Sequence, residues 1–109
     1  MKSDAVLLDL ILDAFSKIRE FVGKMEFEDF KKDKKTQSAV IMQLQVVGEL
    51  AKRVSDVTRG KINIPWKQMI GLRDLVAHIY FSLDIEVVWR TVTESARVAE
   101  EKIRASVPN

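Results

Sequence analysis

The sequence predicts an all-α protein, an antiparallel bundle of four long helices, and three observations predict it. Apolar residues recur at three- and four-residue steps through most of the chain. Only four Gly and two Pro occur in 109 residues, too few for a many-turned sandwich or barrel. No segment alternates apolar and polar residues over a useful strand length, and no internal repeat is present.

The first helix starts at Ser3 or Asp4, either of which can cap its exposed amides. Its stripe is Val6, Leu7, Leu10, Ile11, Ala14, Ile18, Phe21, Val22 and Met25. Phe27 and Phe30 then fall in a charged connector ending at Lys31, Lys32, Lys34 and Lys35 around Asp33. A second long helix is expected from Thr36, its N-cap. Val40, Leu44, Val47, Ala51 and Val54 form its apolar line, widened by Ile41 and Gly48. Thr58, Arg59, Gly60 and Lys61 break the pattern. Ile64 precedes a proline and is pushed towards extended backbone. Pro65 suits the first turn of a third long helix, where its missing N–H is no loss. That helix carries Trp66, Met69, Ile70, Leu72, Val76 and Ile79. A turn at Phe81 to Leu83 leads to Asp84, the expected cap of the last helix. Val87, Val88, Thr91, Ala99 and Ile103 mark its apolar side, and Pro108 lies beyond its end. Short connectors between long helices imply neighbours that run antiparallel.

Residues 1–109 are read as one domain, since the length leaves no room for a second. Without cysteine, a disulfide framework and a thiolate metal site are both impossible. A single His excludes a His-rich zinc site within one chain, so no metal is expected. No apolar run approaches the ~18 residues of a membrane span. Asp9 and Asp13 interrupt the N-terminal apolar stretch, so it is no signal-peptide core. The expectation is a soluble, cytoplasmic protein.

The net charge of +2 is unevenly spread: −3 over residues 1–30, +5 over 31–61 and zero over 62–109. The lysine run leads the basic third. Such a run is either a solvated helix end or an electrostatic footprint for a polyanion such as RNA.

Chemistry concentrates in Arg73-Asp74-Leu75-Val76-Ala77-His78-Ile79-Tyr80. Asp74 and His78, four apart, share one face of a helix. Arg73 and Tyr80, seven apart, share another. Arg73 and His78 stand about 140° apart around a regular helix. A straight helix would not aim both at one small target, so either the helix distorts near His78 or a second copy of the chain completes the site. Arg, His and Tyr near a helix end also suit a C-terminal cap and a polar edge of the core.

Arg73-x4-His78-x-Tyr80 resembles the signature of the HepT-like toxins of the HEPN superfamily of helical ribonucleases. Ile64-Pro65-Trp66-Lys67 before it, and Tyr80-Phe81 and Val88-Trp89 after it, look like the same family. So does Gln37-Ser38-Ala39-Val40 leading to Val47-Gly48-Glu49-Leu50. The likeness covers nearly the whole chain in one register. The residue after the signature arginine is often Asn in that family and is Asp74 here. Its carboxylate, four residues before His78, should favour imidazolium.

The resemblance implies metal-independent cleavage of RNA, in which the 2′-hydroxyl attacks the adjacent phosphate and leaves a cyclic phosphate and a 5′-hydroxyl. A base, an acid and a positive charge on the phosphate are needed. His78 can fill either proton role, and Arg73 can hold phosphate in a permanent bidentate fork. One chain offers one His for two proton transfers. A homodimer built across the helix bearing the motif would bring two copies of His78 and Arg73 to one cleft. The resemblance further implies a partner, a minimal nucleotidyltransferase antitoxin that moves AMP from ATP onto Tyr80. The chain itself then needs no cofactor.

Glu49 lies near Lys52 and Arg53, and a surface ion pair among these is expected. Trp66 and Trp89 are read as core or dimer anchors. A competing reading is a non-catalytic RNA- or nucleotide-binding helical module that serves the transferase, with Arg73 and His78 binding phosphate only; a purely structural interaction protein is another.

Overall fold

In a computed structural model, residues 2–74 and 84–107 are described. The described residues are helical throughout, with short connectors. Helix α1 spans Asp4–Val22 and α3 spans Lys34–Arg53; between them lies the short α2, Phe27–Lys32. A second short helix, α4 (Asp56–Lys61), follows α3. Helix α5 (Trp66–Gly71) tightens into a 3₁₀ turn at Leu72–Asp74. The last stretch runs through α6 (Ile85–Arg90), a wide π turn at Thr91–Ser95 and α7 (Ala96–Ser106).

Local chemistry explains most ends. Ser3 Oγ accepts from the Val6 amide at 3.3 Å, and Asp84 accepts from the Val87 amide at 3.3 Å. Both are N-caps, as the sequence predicts. Helix α1 closes on Gly23, whose φ of 53° is left-handed and whose N–H reaches the Arg19 carbonyl.

Helix α3 starts earlier than Thr36. Asp33 is its cap: one carboxylate oxygen accepts from the Thr36 amide at 2.9 Å and the other from the Thr36 hydroxyl at 2.8 Å. The charged carboxylate takes the exposed amide, and Thr36 becomes part of the first turn.

The connector at Phe27 and Phe30 is helix α2 instead. Glu26 and Asp29 form a capping box over its start. Phe30 is fully buried, with Trp89 at 5.1 Å between ring centroids. Buried Gln37 donates to the Phe30 and Lys31 carbonyls at 2.8 and 3.1 Å, fastening α2 to α3. Likewise Thr58 to Lys61 do not break the helical pattern; they belong to α4, capped by Ser55. Arg59 donates to the Ala51 and Lys52 carbonyls, covering the end of α3.

The core is one cluster drawn from α1, α3, α5, α6 and α7 with Phe30, Val54, Ile62 and Ile64. Helix α1 packs on α3 and α7, and α5 with its 3₁₀ turn packs on α3. The whole expected line of α3 is buried, from Val40 through Val54. On α1 the buried face is rotated: Leu8 and Phe15 are inside, whereas Val6, Leu10 and Phe21 are exposed. Contact with both α3 and α7 sets that face, and the sequence stripe alone does not reveal two partners. In the last stretch the inward residues are Val88, Val92, Ala96, Ala99 and Ile103, with Val87 44% exposed. The wide turn at Thr91–Ser95 lets Val88, Val92 and Ala96 keep one face at steps of four.

Two polar clasps join distant elements. Buried Glu100 receives a fork from Arg19 at 2.9 and 2.7 Å and a third bond from Arg104 at 2.8 Å, tying α1 to α7. Asp4 accepts from the Ser55 amide and from the Ser55 and Thr58 hydroxyls, tying the start of α1 to α4.

The hydroxyl of Ser55 above all, then that of Thr58, holds the Asp4 carboxyl below its ordinary value of 3.8. The Thr36 amide and hydroxyl do the same for Asp33. A carboxylate favoured in the folded state stabilises it fully above the unfolded pKa. That contribution is lost as pH falls through the lowered folded value. Stability should therefore decline as pH drops below about 4, in line with unperturbed Asp near 3.9. Paired Asp4→Asn and Asp33→Asn substitutions should flatten the acid limb in urea melts at stepped pH. An unchanged acid limb would mean that neither clasp responds to protonation.

Val76, His78, Ile79, Tyr80, the expected turn at Phe81 to Leu83, and Pro108 lie outside the described residues. The third helix is thus described as α5 and its 3₁₀ turn only. Pro65 sits at its cap, one residue before the first turn.

Candidate active site

The helix distortion expected near His78 lies outside the described residues. Arg73 sits in the 3₁₀ turn at the end of α5. Three features of α3 hold that turn.

Gly48 comes first. A Cβ built there would lie 2.5 Å from the Arg73 amide nitrogen and 3.1 Å from the Met69 and Ile70 carbonyl oxygens. Only the absence of a side chain lets the two backbones approach this closely. One turn earlier, Gln45 Nε2 donates to the Arg73 carbonyl at 3.2 Å. One residue later, Glu49 places a carboxylate oxygen 3.9 Å from Arg73 Nη1. Asp74, on the turn itself, lies 3.9 Å from Arg73 Nε. The Arg73 side chain remains 35% exposed, with Glu49 at 54% and Asp74 at 68%. A backbone pinned from α3 thus carries a partly exposed arginine side chain, bracketed among the described residues by two carboxylates on different nitrogens. Such a group can receive an anion with little reorganisation of its backbone.

The expected pairing of Glu49 with Lys52 or Arg53 is corrected by this geometry, since its ion pair runs across to Arg73. Glu49 follows Gly48, and the close approach that Gly48 permits brings the turn within its reach. The sequence reading does not include Gln45 or the close approach at Gly48 in the site. The available signal is a glycine in the buried line of a long helix, flanked by Gln45 and Glu49.

His78 and Tyr80 lie outside the described residues, so the described geometry contains Arg73 and Asp74 alone of the motif's polar groups. Lys31, Lys32, Lys34 and Lys35 lie at the junction of α2 and α3, with Lys31, Lys32, Lys34 and Lys35 all exposed to solvent. At 1.5 Å per residue Lys34 and Lys35 stand roughly 15–20 Å along α3 from the residues that hold the Arg73 turn. The structure does not bring them into the site. Trp66 and Trp89 are half-buried against the core. The Trp66 indole donates to the Arg59 and Ile62 carbonyls, so these rings serve packing. Among the described residues, no three His, Cys, Asp or Glu side chains gather at metal-binding distance.

The Ribonuclease HepT-like family matches residues 11–106. The chain belongs to the HepT-like ribonuclease family. It is 43% identical over 101 residues to a Thermococcus cleftensis protein named "Probable ribonuclease HepT", covering 89% of this chain and 92% of that one. It is 42% identical over 83 residues to "Putative RNase MJ0127" of Methanocaldococcus jannaschii, covering 75% and 69%. A Caldanaerobacter subterraneus protein, "Putative RNase TTE0752", is 30% identical over 105 residues, covering 95% and 94%. No solved structure matches the chain.

Proposed function

We propose that this HepT-like chain is a metal-independent endoribonuclease and the toxin of a toxin–antitoxin pair. The observation that carries the reading is an arginine of the signature held by its backbone on α3 while its side chain stays partly exposed. In the reaction the RNA 2′-oxygen attacks the adjacent phosphorus and loses its proton to a base. The bond from phosphorus to the 5′-oxygen breaks, and an acid protonates that oxygen. The products are a cyclic phosphate and a 5′-hydroxyl. Arg73 binds the phosphate oxygens as charge builds on them, and His78 from each of two chains serves the proton transfers. Asp74, four residues before His78 in the sequence, orients it or favours its charged form.

This reading makes the protein a homodimer across the motif helix and residues 1–109 one domain of an antiparallel bundle. The tie between the start of α1 and Ser55, just past the end of α3, supports the antiparallel course of those two helices. Tyr80 is the acceptor of AMP, delivered from ATP by a minimal nucleotidyltransferase antitoxin; the added phosphate would compete with RNA for Arg73. The lysine run gives RNA a further electrostatic contact. The working place is the cytoplasm, and no helix among the described residues is long and apolar enough to cross a membrane.

The test is cleavage of cellular RNA by the purified chain in excess EDTA, with cyclic phosphate and 5′-hydroxyl ends as products. His78→Ala should remove the activity and leave the helical circular dichroism spectrum intact. Activity lost in EDTA and restored by magnesium, or retained in His78→Ala, would refute the mechanism. Intact mass after incubation with the transferase and ATP should rise for the wild type and not for Tyr80→Phe.

A further inference from the structure

We infer that Glu49 is a positioning residue for Arg73 and competes with the RNA phosphate for its guanidinium. The inference rests on the ribonuclease reading in one respect, that Arg73 meets a phosphate.

The chain contains its own standard for a tight arginine–carboxylate pair. Arg19 forks onto buried Glu100 at 2.9 and 2.7 Å, the range of charge-assisted hydrogen bonds. Glu49 stands 3.9 Å from Arg73, beyond hydrogen-bond range though close enough for charge attraction. A guanidinium held this loosely by Glu49 spends no hydrogen-bond donor on that carboxylate. A phosphate forming two short bonds replaces a carboxylate that forms none.

Among the described residues, the other charged group on Arg73 is Asp74, at the same 3.9 Å. The two differ in what they can fix. Asp74 is the next residue on the same turn, so it moves with Arg73. Glu49 belongs to α3, the helix that also pins the turn through Gln45 and Gly48. Of the two carboxylates, Glu49 is the one that orients the guanidinium relative to the body of the protein. Its position one residue after Gly48 makes this possible, because a side chain at Gly48 would push the turn away. Exposed Lys52 and Arg53, three and four residues on along α3, are the nearby cations on its own helix.

Two opposite consequences follow from one carboxylate. Removing its charge frees Arg73 for phosphate and should tighten RNA binding. Removing its restraint leaves the guanidinium less well aimed and should slow the chemical step. A residue with a merely structural role would weaken both through loss of fold.

The experiment is a double-mutant cycle read by binding of a 2′-O-methyl RNA oligonucleotide, which lacks the attacking hydroxyl. Glu49→Gln should tighten binding about two- to fivefold, the worth of a part-exposed ion pair. The same substitution in an Arg73→Ala background should change nothing. On cleavable RNA, Glu49→Gln should lower both KM and kcat, with an unchanged melting temperature. Equal effects in both backgrounds would show that Glu49 acts as a general surface charge and overturn the inference while cleavage by the wild type stands. Coupling to Arg73 with no cleavage by the wild type would uphold the pairing and refute the enzyme. Absence of RNA binding by the wild type would overturn both.

Discussion

Gly48→Ala is expected to destabilise the protein by about 2–3 kcal/mol, the upper part of the usual overpacking range, and to abolish most of its ribonuclease activity. Ordinary helix propensity points the other way, since alanine in a helix interior is favoured over glycine by ~0.5–1 kcal/mol. The close approach decides the sign. The new Cβ would meet the Arg73 amide nitrogen at 2.5 Å and two carbonyl oxygens at 3.1 Å. These are backbone atoms and have no rotamer by which to escape. Relief requires the end of α5 and its turn to retreat from α3, which breaks the Gln45 bond to the Arg73 carbonyl and carries the guanidinium away from Glu49. Urea unfolding and a single-turnover cleavage assay measure the two effects. Gly60→Ala is the control: nothing lies within 4 Å of its added methyl, so α4 should gain a few tenths of a kcal/mol. A Gly48→Ala protein as stable and active as the wild type would show that α3 and the Arg73 turn do not meet in this way.

Arg73→Ala should lower the single-turnover rate by about 10²–10³-fold, the scale of removing one donor that stabilises transition-state charge. The fold should survive, because the side chain is one-third exposed and makes no short hydrogen bond among the described residues. Arg73→Lys should recover little, as an ammonium cannot supply the planar fork. RNA affinity should fall modestly, since Arg73 holds one phosphate among several that the protein neutralises. Charge reversal at Lys31, Lys32, Lys34 and Lys35 should behave oppositely. Binding should weaken broadly, and its salt dependence should become shallower by ~0.7 in slope for each single-strand phosphate no longer neutralised. Cleavage of saturating RNA should hardly change. If Arg73→Ala cleaves at the wild-type rate, the pinned turn is a structural device and nothing more. If the salt slope ignores the lysine changes, the run is a solvated helix junction.

Much of this molecule is readable one helix at a time. The apolar line from Val40 to Val54 needs nothing but 3.6-residue geometry, and every member is buried. Ser3 and Asp84 cap helices because a side chain reaching an amide three residues on is a local event. The Asp33–Thr36 pair is harder to read, for both residues are good caps and either start is compatible with the apolar stripe. Helices of six residues carry too little periodicity to announce themselves, and α2 and α4 are stabilised by partners far along the chain or on another element. Phe30 lies against Trp89, and Arg59 closes the carbonyls that end α3. The buried face of α1 departs from its sequence stripe at Leu8 and Phe15 for the same reason, since α3 and α7 together determine it.

By itself, then, the sequence determined the all-helical class, the two long helices α1 and α3, and the signature Arg73-x4-His78-x-Tyr80 with the family it resembles. Those features depend on spacing within a single segment, which backbone geometry translates directly into faces and caps. Only the tertiary structure decided that Glu49 answers Arg73 and not Lys52 or Arg53, that Gln45 holds the arginine's carbonyl, and that Gly48 is the point of closest approach. Twenty-four positions separate Glu49 from Arg73 in the numbering. No local rule links them: a charge finds its partner by which backbones can approach, and that is a property of the packed helices.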